Sequence, residues 1–196
     1  MLVLASRSPR RKHLLRLLGL SFAVRPAEIP ETPLPGEPPE SHAVRLAKEK
    51  AIEVATRLRG RDRGRAVVLG ADTVVALGST ILGKPRHEAD ARRMLRLLSG
   101  KTHRVITGVA VWRGRDGRIF AGMSVTRVTF ARLTRTEIAR YVATGEPLDA
   151  AGAYAIQGYG GAFIPRIEGS YSNVVGLPLQ IVARLLSRAG IDGLPG

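Results

Sequence analysis

Four extended apolar segments determine the kind of sheet that this chain can form. Met1–Ala5 and Ala66–Ala71 are short, uninterrupted apolar runs, typical of strands buried on both faces of a parallel sheet. Thr102–Trp112 and Arg118–Arg132 are longer and are joined around Asp116-Gly117, a turn signal typical of an antiparallel hairpin. Both patterns in one chain predict an α/β fold with a mixed sheet.

Segments with helical periodicity separate these strands and predict helices packed on the sheet. We expect the helices over residues 9–19, 41–59, 87–98, 134–145 and 178–189. The fourth begins with Thr134-x-x-Glu137, the capping-box pattern of a helix N-terminus. Two further expectations concern strands: Asp72 ends or interrupts the strand that starts at Ala66, and Ala162–Ile167 forms another strand.

The chain has no cysteine, which excludes disulfide bonds, thiolate zinc sites and a cysteine nucleophile. No apolar stretch reaches the ~18 residues needed to cross a bilayer. Met1–Ala5 also lacks the charged region that precedes the apolar part of a signal peptide. We therefore predict a cytoplasmic protein without a membrane segment.

The charge of the chain favours anionic partners. There are 31 lysines and arginines against 16 acidic residues, a formal net charge of +15. An excess of this size suits nucleotides, nucleic acid or an acidic surface. The arginines are scattered, however, and aromatic residues, which stack on bases, make up only 5% of the chain. Nucleic acid is therefore the less favoured partner, and arginines that simply cover solvated helix faces remain an alternative interpretation.

The segment from Ser6 to Lys12 predicts a phosphate-binding loop. It lies between a buried strand and the start of a helix, where free backbone N–H groups and the positive end of the helix dipole coincide. Ser6 and Ser8 add hydroxyl groups there, and Arg10, Arg11 and Lys12 add cations. The alternative is a capped helix with a basic first turn. Cations at the positive end of a helix are unfavourable, however, by about 0.3–1 kcal/mol each, which indicates that an anion binds there.

Three other segments carry groups that could act on a phosphate ester. Gly70-Ala71-Asp72-Thr73 places a carboxylate after an apolar strand, where it could bind a divalent cation or accept a proton from water. Lys84 follows a strand, and Gln157 lies in a glycine-rich segment and could read a base edge. Each signal is weak alone, since a turn aspartate and a solvated lysine are both common. Together they suit a site that acts on a polyphosphate with the help of a hard metal ion and one carboxylate base.

Seven short motifs occur in an order that resembles the Maf family of nucleoside triphosphate pyrophosphatases, over residues 2–187. They are Ser6-x-Ser8-Pro9-Arg10-Arg11, Gly70-Ala71-Asp72-Thr73, Gly83-Lys84-Pro85, Leu98-Ser99-Gly100-x-x-His103, Gly145-Glu146-Pro147-x-Asp149, Ala151-Gly152-Ala153-Tyr154 with Ile156-Gln157-Gly158, and Gly169-Ser170-Tyr171-x-Asn173-Val174-Val175-Gly176-Leu177-Pro178. The resemblance implies a single Maf-like domain over residues 1–196. It also implies an elongated mixed sheet flanked by helices, similar to inosine-triphosphate pyrophosphatase, with two lobes around a cleft.

The activity that the resemblance implies is hydrolysis of a nucleoside triphosphate to the monophosphate and pyrophosphate, with Mg²⁺ or Mn²⁺ as the cofactor. A homodimer in the cytoplasm would be usual. The catalytic base of the family falls on Asp72, and its metal-site carboxylates fall on Glu31 and Asp72, with Glu28 a weaker substitute for Glu31. The phosphate-binding positions fall on Ser6, Ser8, Arg10, Arg11, Lys50 and Lys84.

Within the family, the chain is similar to the branch that prefers dTTP and UTP. The specificity positions of that branch fall on Arg10, Thr73 and Gln157. A glutamine amide can pair with the O4 and N3–H edge that thymine and uracil share. The alternative hypothesis, from another class, is a nucleic-acid-binding or septum-regulating interaction protein, because Maf-type proteins were first associated with septum formation.

The chain departs from the family pattern at two positions. Ala150 stands where a lysine is common, so the glycine-rich loop has one cation fewer. Pro30 stands where an acidic residue often precedes Glu31, which makes the metal role of Glu31 less secure than the base role of Asp72.

Overall fold

In the computed structural model, which describes residues 1–191, seven strands form one mixed sheet. They are β1 (Leu2–Leu4), β2 (Phe22–Val24), β3 (Val67–Leu77), β4 (Thr80–Leu82), β5 (Thr102–Arg113), β6 (Ile119–Thr129) and β7 (Arg166–Glu168). The order across the sheet is β2-β1-β3-β5-β6-β7, and β4 pairs with β3. The pairs β2–β1 and β1–β3 are parallel and the others antiparallel. The predicted mixed α/β fold is confirmed.

Seven α-helices accompany the sheet within the same residues. They are α1 (Pro9–Arg16), α2 (Pro39–Arg57), α3 (Gly60–Arg65), α4 (Glu88–Leu98), α5 (Arg135–Ala143), α6 (Tyr171–Val175) and α7 (Leu179–Arg188). Short 3₁₀ turns cover Glu146–Asp149, Ala151–Ala153 and Tyr159–Phe163. The capping box of Thr134 and Glu137 is present at the start of α5. No helix among residues 1–191 is both long and apolar enough to span a membrane.

Helix α2 packs unusually close to the sheet because both surfaces are made of small residues. Its alanines at 43, 47 and 51 are fully buried. A Cβ atom at Gly70 of β3 would lie 2.2 Å from the carbonyl oxygen of Ala47, and one at Gly108 of β5 would lie 2.3 Å from that of Ala43. Only glycine fits at these two strand positions, and the fit places α2 directly beside the middle of β3.

The pairing of β3 leaves part of its edge free. Strand β1 pairs with β3 as far as Leu69, and β4 pairs with it from Val75 onward. The residues between them, 70–74, therefore have no strand on that side among residues 1–191. Hydrophobic clusters lie on both sides of this gap, one around Leu4 and Leu69 and the other around Leu95 and Phe130. The gap between β1 and β4 is where a cleft can reach the sheet.

Two strand predictions were wrong. Asp72 neither ends nor interrupts its strand: β3 runs without a break from Val67 to Leu77, since β5 pairs with it along this length. The predicted strand Ala162–Ile167 is instead the end of a 3₁₀ turn followed by β7 at Arg166–Glu168. Glycines at 158, 160 and 161 favour a compact turn over an extended strand there.

Candidate active site

A cleft of about 1100 Å³ opens at the free edge of β3. Ten of the residues that the sequence predicted to act on a nucleotide line it: Ser6, Ser8, Arg10, Arg11, Glu31, Lys50, Asp72, Thr73, Lys84 and Gln157. They come from six separate parts of the chain, so their meeting at one place is a property of the fold. Lys12, the third cation predicted in the phosphate-binding loop, does not line the cleft.

Asp72 and Lys50 form an ion pair on the face of the sheet that α2 covers. Lys50 Nζ lies 2.6 Å from Asp72 Oδ1, and both side chains are more than nine-tenths buried. The same ammonium group lies 2.6 Å from Oε1 of Glu31, which is 60% exposed. Within residues 1–191, Asp72 Oδ2 accepts no hydrogen bond, so the second carboxylate oxygen is available to a molecule in the cleft.

Arg11 occupies the opposite face of β3. Its Nη2 donates to Thr73 Oγ1 at 3.0 Å, and its Nε donates to the carbonyl of Gly176 at 2.9 Å. Thr73 also shares a hydrogen bond of 2.9 Å with Thr107 on β5. Burial lowers the pKa of Arg11, and Asp72 opposes this shift. The guanidinium is thus anchored on two sides and projects a fixed positive charge toward the cleft.

The N-terminus of α1 is built as the sequence predicted. Ser8 is the N-cap, and its hydroxyl accepts the N–H of Arg11 at 3.4 Å, with Pro9 in the first turn. The hydroxyl of Ser6 accepts the N–H of Ser8 at 3.2 Å and the Nη1 of Arg11 at 3.4 Å. Two hydroxyl groups, a helix N-terminus and a guanidinium therefore converge on the same wall of the cleft.

Arg10 and Lys84 are held by one carboxylate on the opposite wall. Lys84 Nζ lies 2.5 Å from Oδ1 of Asp149, while Arg10 Nη2 donates to the Asp149 carbonyl at 2.7 Å and lies 3.6 Å from Oδ2. The Lys84 and Asp149 side chains are 62% and 63% exposed. Water screens such a pair, which contributes about 0–1 kcal/mol to stability. An anion that enters the cleft can therefore take over these two cations at small cost.

Comparison with protein families finds a match that covers the whole site. The sequence profile described as "Maf: Maf-like protein" matches residues 1–189, which include every residue that lines the cleft. The chain belongs to the Maf family.

Relatives from the Maf family match this chain over nearly its whole length. The chain is 56% identical over 191 residues to a protein of Anaeromyxobacter dehalogenans (strain 2CP-C), with 96% of this chain and 94% of the relative covered. It is 53% identical over 190 residues to one of Geobacter sulfurreducens, with 96% of each covered, and 53% identical over 191 residues to one of Myxococcus xanthus, with 97% and 93% covered. All three relatives are named dTTP/UTP pyrophosphatase.

Among solved structures, the chain is similar to the Staphylococcus aureus Ham1 protein. The TM-score is 0.42 at 13% identity, with 66% of this chain and 71% of that chain covered. The assignment to the Maf family rests on the sequence matches.

The donor set of the cleft suits a hard cation that also binds the substrate. Glu31 and Asp72 each place an oxygen 2.6 Å from Lys50 Nζ, so the two carboxylates already converge on one positive charge. Mg²⁺ in phosphate-handling sites typically takes one or two carboxylates and completes its shell with phosphate oxygens and water. Residues 1–191 contain no group of three or more His, Cys, Asp or Glu side chains placed for a metal ion. The pair therefore fits a cation that arrives with the phosphates.

Sequence analysis assigned no role to Asp149, Glu146 or Tyr141. Asp149 holds Arg10 and Lys84, and Tyr141 donates to Glu146 beneath the Gln157 segment. Asp149 and Glu146 both belong to the motif Gly145-Glu146-Pro147-x-Asp149, so this motif was the sequence signal that could have pointed to them. Ala150 is buried and lines the cleft, so an apolar side chain stands where a lysine is common in the Maf family.

Proposed function

We propose that this protein hydrolyses dTTP and UTP to the monophosphate and pyrophosphate. The observation that carries the proposal is that Asp72, which is paired with Lys50, lines the same cleft as the anchored guanidinium of Arg11. The names of the relatives support the same activity.

Asp72 is the proton acceptor in this proposal. Its Oδ1 is engaged by Lys50 and its Oδ2 is open to the cleft, so Oδ2 can bind a water molecule. A bond forms between the water oxygen and the α-phosphorus, the bond from that phosphorus to the pyrophosphate oxygen breaks, and the water proton passes to Asp72. The ion pair with Lys50 fixes the position of the carboxylate, which a general base requires.

The cations around the cleft bind the phosphate chain. Arg11, Lys50 and Lys84 are placed to neutralise the charge that develops on the phosphate oxygens. Ser6, Ser8 and Arg10 add hydrogen-bond donors at the start of α1, where the helix dipole favours an anion. Glu31 and Asp72 would hold a divalent cation such as Mg²⁺ or Mn²⁺, which supplies further positive charge to the phosphates when bound.

Base recognition falls to the wall that carries Gln157. Its side chain is exposed in the cleft and makes no hydrogen bond within residues 1–191, so its amide is free to pair with a pyrimidine edge. Thr73 on β3, another of the predicted specificity positions, forms side-chain hydrogen bonds within residues 1–191 only with Arg11, Thr107 and the carbonyl of Gly176. We propose that Thr73 acts by placing Arg11. A homodimer and a cytoplasmic location, both usual in the family, stay predictions.

The proposal is tested by pyrophosphate release from a panel of canonical and modified nucleoside triphosphates, with Mg²⁺ and with Mn²⁺. We expect dTTP and UTP to be the preferred substrates, and no turnover without a divalent cation. In water labelled with ¹⁸O, the label is expected in the monophosphate and not in pyrophosphate, because the attack is on the α-phosphorus. Label in pyrophosphate, or orthophosphate as the first product, would overturn the proposed reaction.

A second candidate function is binding of nucleic acid, as in the alternative hypothesis of an interaction protein. Helix α3 and its N-cap carry Arg59, Arg61, Arg63 and Arg65, and none of these forms an ion pair within residues 1–191. The four arginines lie within seven consecutive exposed residues and could contact a phosphate backbone, although Arg63 also lies over the ring of Trp112. Gel shift with duplex DNA at physiological salt tests this function, and tight binding without hydrolysis of any nucleotide would favour it over the pyrophosphatase.

A further inference from the structure

The segment from Ala155 to Gly160, which carries Gln157, belongs to none of the α-helices and strands of residues 1–191. It forms a tight turn in which Gly158 N–H donates to the carbonyl of Ala155 at 3.2 Å. Tyr159–Phe163 then form a 3₁₀ turn. Such irregular segments move readily unless side chains tie their backbone down. The contacts that tie this one therefore decide where Gln157 points.

The carboxylate of Glu146 provides most of these contacts. It accepts the N–H of Tyr159 on Oε2 at 2.9 Å and the N–H of Gly160 on Oε1 at 3.1 Å. The hydroxyl of Tyr141 donates to the same Oε1 at 2.7 Å and accepts the N–H of Ala155 at 3.1 Å. The turn is thus held at its first residue by Tyr141 and at its last two by Glu146.

At its glycines, the backbone of the turn lies directly against these two side chains. A Cβ atom at Gly158 would lie 2.1 Å from Glu146 Oε2, and one at Gly160 would lie 2.6 Å from the hydroxyl of Tyr141. The backbone therefore wraps directly around the carboxylate and the phenol. Tyr141 is almost fully buried, and burial together with the hydrogen bond to Glu146 raises its pKa, so its hydroxyl stays a donor.

We propose that Glu146 is a positioning residue that, with Tyr141, fixes the Ala155–Gly160 turn and thereby orients Gln157 for pyrimidine selection. The amide of Gln157 can pair with a base only if its Cα lies at the right distance and in the right direction from that base, and the backbone of the turn sets both. Preference for thymine and uracil thus depends on a backbone that does not move. This inference rests on the proposed function, and it assigns the site's base preference to residues that do not touch the base.

The first experiment compares Glu146→Gln with the wild type on dTTP and dCTP. The amide replaces one accepting oxygen with a donor, so at least one of the three hydrogen bonds at this carboxylate is lost. We expect the ratio of kcat/KM for dTTP to that for dCTP to fall by about tenfold, mainly through the KM for dTTP, the size of one lost hydrogen bond to a charged group. Tyr141→Phe, which keeps the ring, is expected to lower the ratio in the same direction by about threefold.

A double-mutant cycle with Gln157→Ala shows whether Glu146 acts through Gln157. In the Gln157→Ala background we expect Glu146→Gln to change the dTTP-to-dCTP ratio by less than about twofold. Hydrogen exchange provides a readout independent of activity: the amides of Tyr159 and Gly160 should exchange faster in Glu146→Gln. The matched control is Glu168→Gln on β7, which makes the same charge change at a side chain that is 47% exposed and does not line the cleft.

Three results would overturn the inference. A folded Glu146→Gln protein with an unchanged ratio would show that the turn does not set selectivity, and a loss that adds fully to that of Gln157→Ala would show that the two residues act independently. If Glu146→Gln does not fold, an unchanged ratio in Tyr141→Phe has the same meaning. A wild-type protein that releases no pyrophosphate from dTTP or UTP would overturn the proposed function together with this inference, whereas the first two results leave the proposed function intact.

Discussion

The two walls of the cleft are built by different means. On the wall formed by β3 and α2, Asp72 and Lys50 are 8% and 9% exposed, and both come from regular elements pressed together at Gly70. On the wall formed by Lys84 and residues 145–160, Lys84 and Asp149 are 62% and 63% exposed, and Gln157 lies on an irregular turn. The first wall is held by the sheet itself. The second is held by a few side chains that bind backbone groups.

Under the proposed function, this difference separates the catalytic step from recognition of the base. A proton acceptor has to be placed within a hydrogen bond of the attacking water, and the sheet supplies that accuracy. Base recognition can change through a loop without disturbing the strand that carries Asp72. We expect changes on the first wall to abolish turnover or folding, and changes on the second to alter which substrate is used.

The largest effect is expected from Asp72→Asn, which keeps the shape of the side chain and removes the base. Loss of a general base lowers the rate by about 10²–10⁴-fold, so we expect pyrophosphate release from dTTP to fall by about 1,000-fold. Thermal unfolding shows whether the variant is folded, since Lys50 keeps its contact with Glu31. Asp62→Asn, on exposed α3, is the charge-matched control. A rate within a few-fold of the wild type would contradict the role of Asp72.

Gly70→Ala tests whether the close approach of α2 is what builds the first wall. The new methyl group would lie 2.2 Å from the carbonyl oxygen of Ala47, so the helix and the strand must separate. We expect a loss of about 3 kcal/mol in the free energy of unfolding, the upper part of the range for overpacked sites. We also expect a lower rate, because Lys50 moves away from Asp72.

Gly64→Ala on α3 is the matched control for that substitution, because a Cβ atom there meets nothing within 4 Å. Alanine in a helix is favoured over glycine by about 1 kcal/mol, so the control should be neutral or slightly stabilising. Denaturant unfolding measures both variants. Equal stability of Gly70→Ala and the wild type would mean that α2 is not held against β3 as described.

Acid should weaken the core beneath the second wall. His103 is buried, its Nε2 lies 2.8 Å from the hydroxyl of Tyr154, and burial lowers its pKa from 6.5 to about 4. Between these two values the unfolded chain binds a proton that the folded chain does not, so stability falls as the pH drops from about 6.5 toward 4. From pH 7 to pH 5 the loss is about 2 kcal/mol.

Denaturant unfolding at a series of pH values measures this loss, and His103→Gln provides the comparison. Glutamine does not titrate, and it can still exchange a hydrogen bond with Tyr154. The variant should be less sensitive to acid than the wild type by about 2 kcal/mol over the same interval. Parallel pH curves for the two proteins would show that His103 does not titrate as described.

The sequence predicted the first wall better than the second, for a physical reason. Strand and helix patterns locate Lys50 on a helix and Asp72 on an apolar strand, and these local patterns do not depend on distant residues. They do not show which neighbours a strand has, so Asp72 was expected to break a strand that β5 in fact continues. The second wall depends on contacts such as Tyr141 with Ala155, which join distant residues through side chains and leave no periodic pattern.

The smallest effect is expected from Asp149→Asn. The carboxylate of Asp149 binds Lys84 and lies near Arg10 on the exposed wall, where it competes with an incoming phosphate chain. We expect the free energy of unfolding to change by less than about 1 kcal/mol, because solvent screens these pairs.

The KM for dTTP should fall by about two- to threefold, since two cations no longer have to leave a carboxylate when substrate binds, a difference of about 0.5 kcal/mol. Steady-state kinetics at low and high salt measures this change, which should shrink as salt screens the charges. Asp62→Asn, on exposed α3 away from the cleft, is the control for the loss of charge. A KM that rises in Asp149→Asn would mean that Asp149 holds Lys84 and Arg10 in place for the substrate, and that the second wall is preformed like the first.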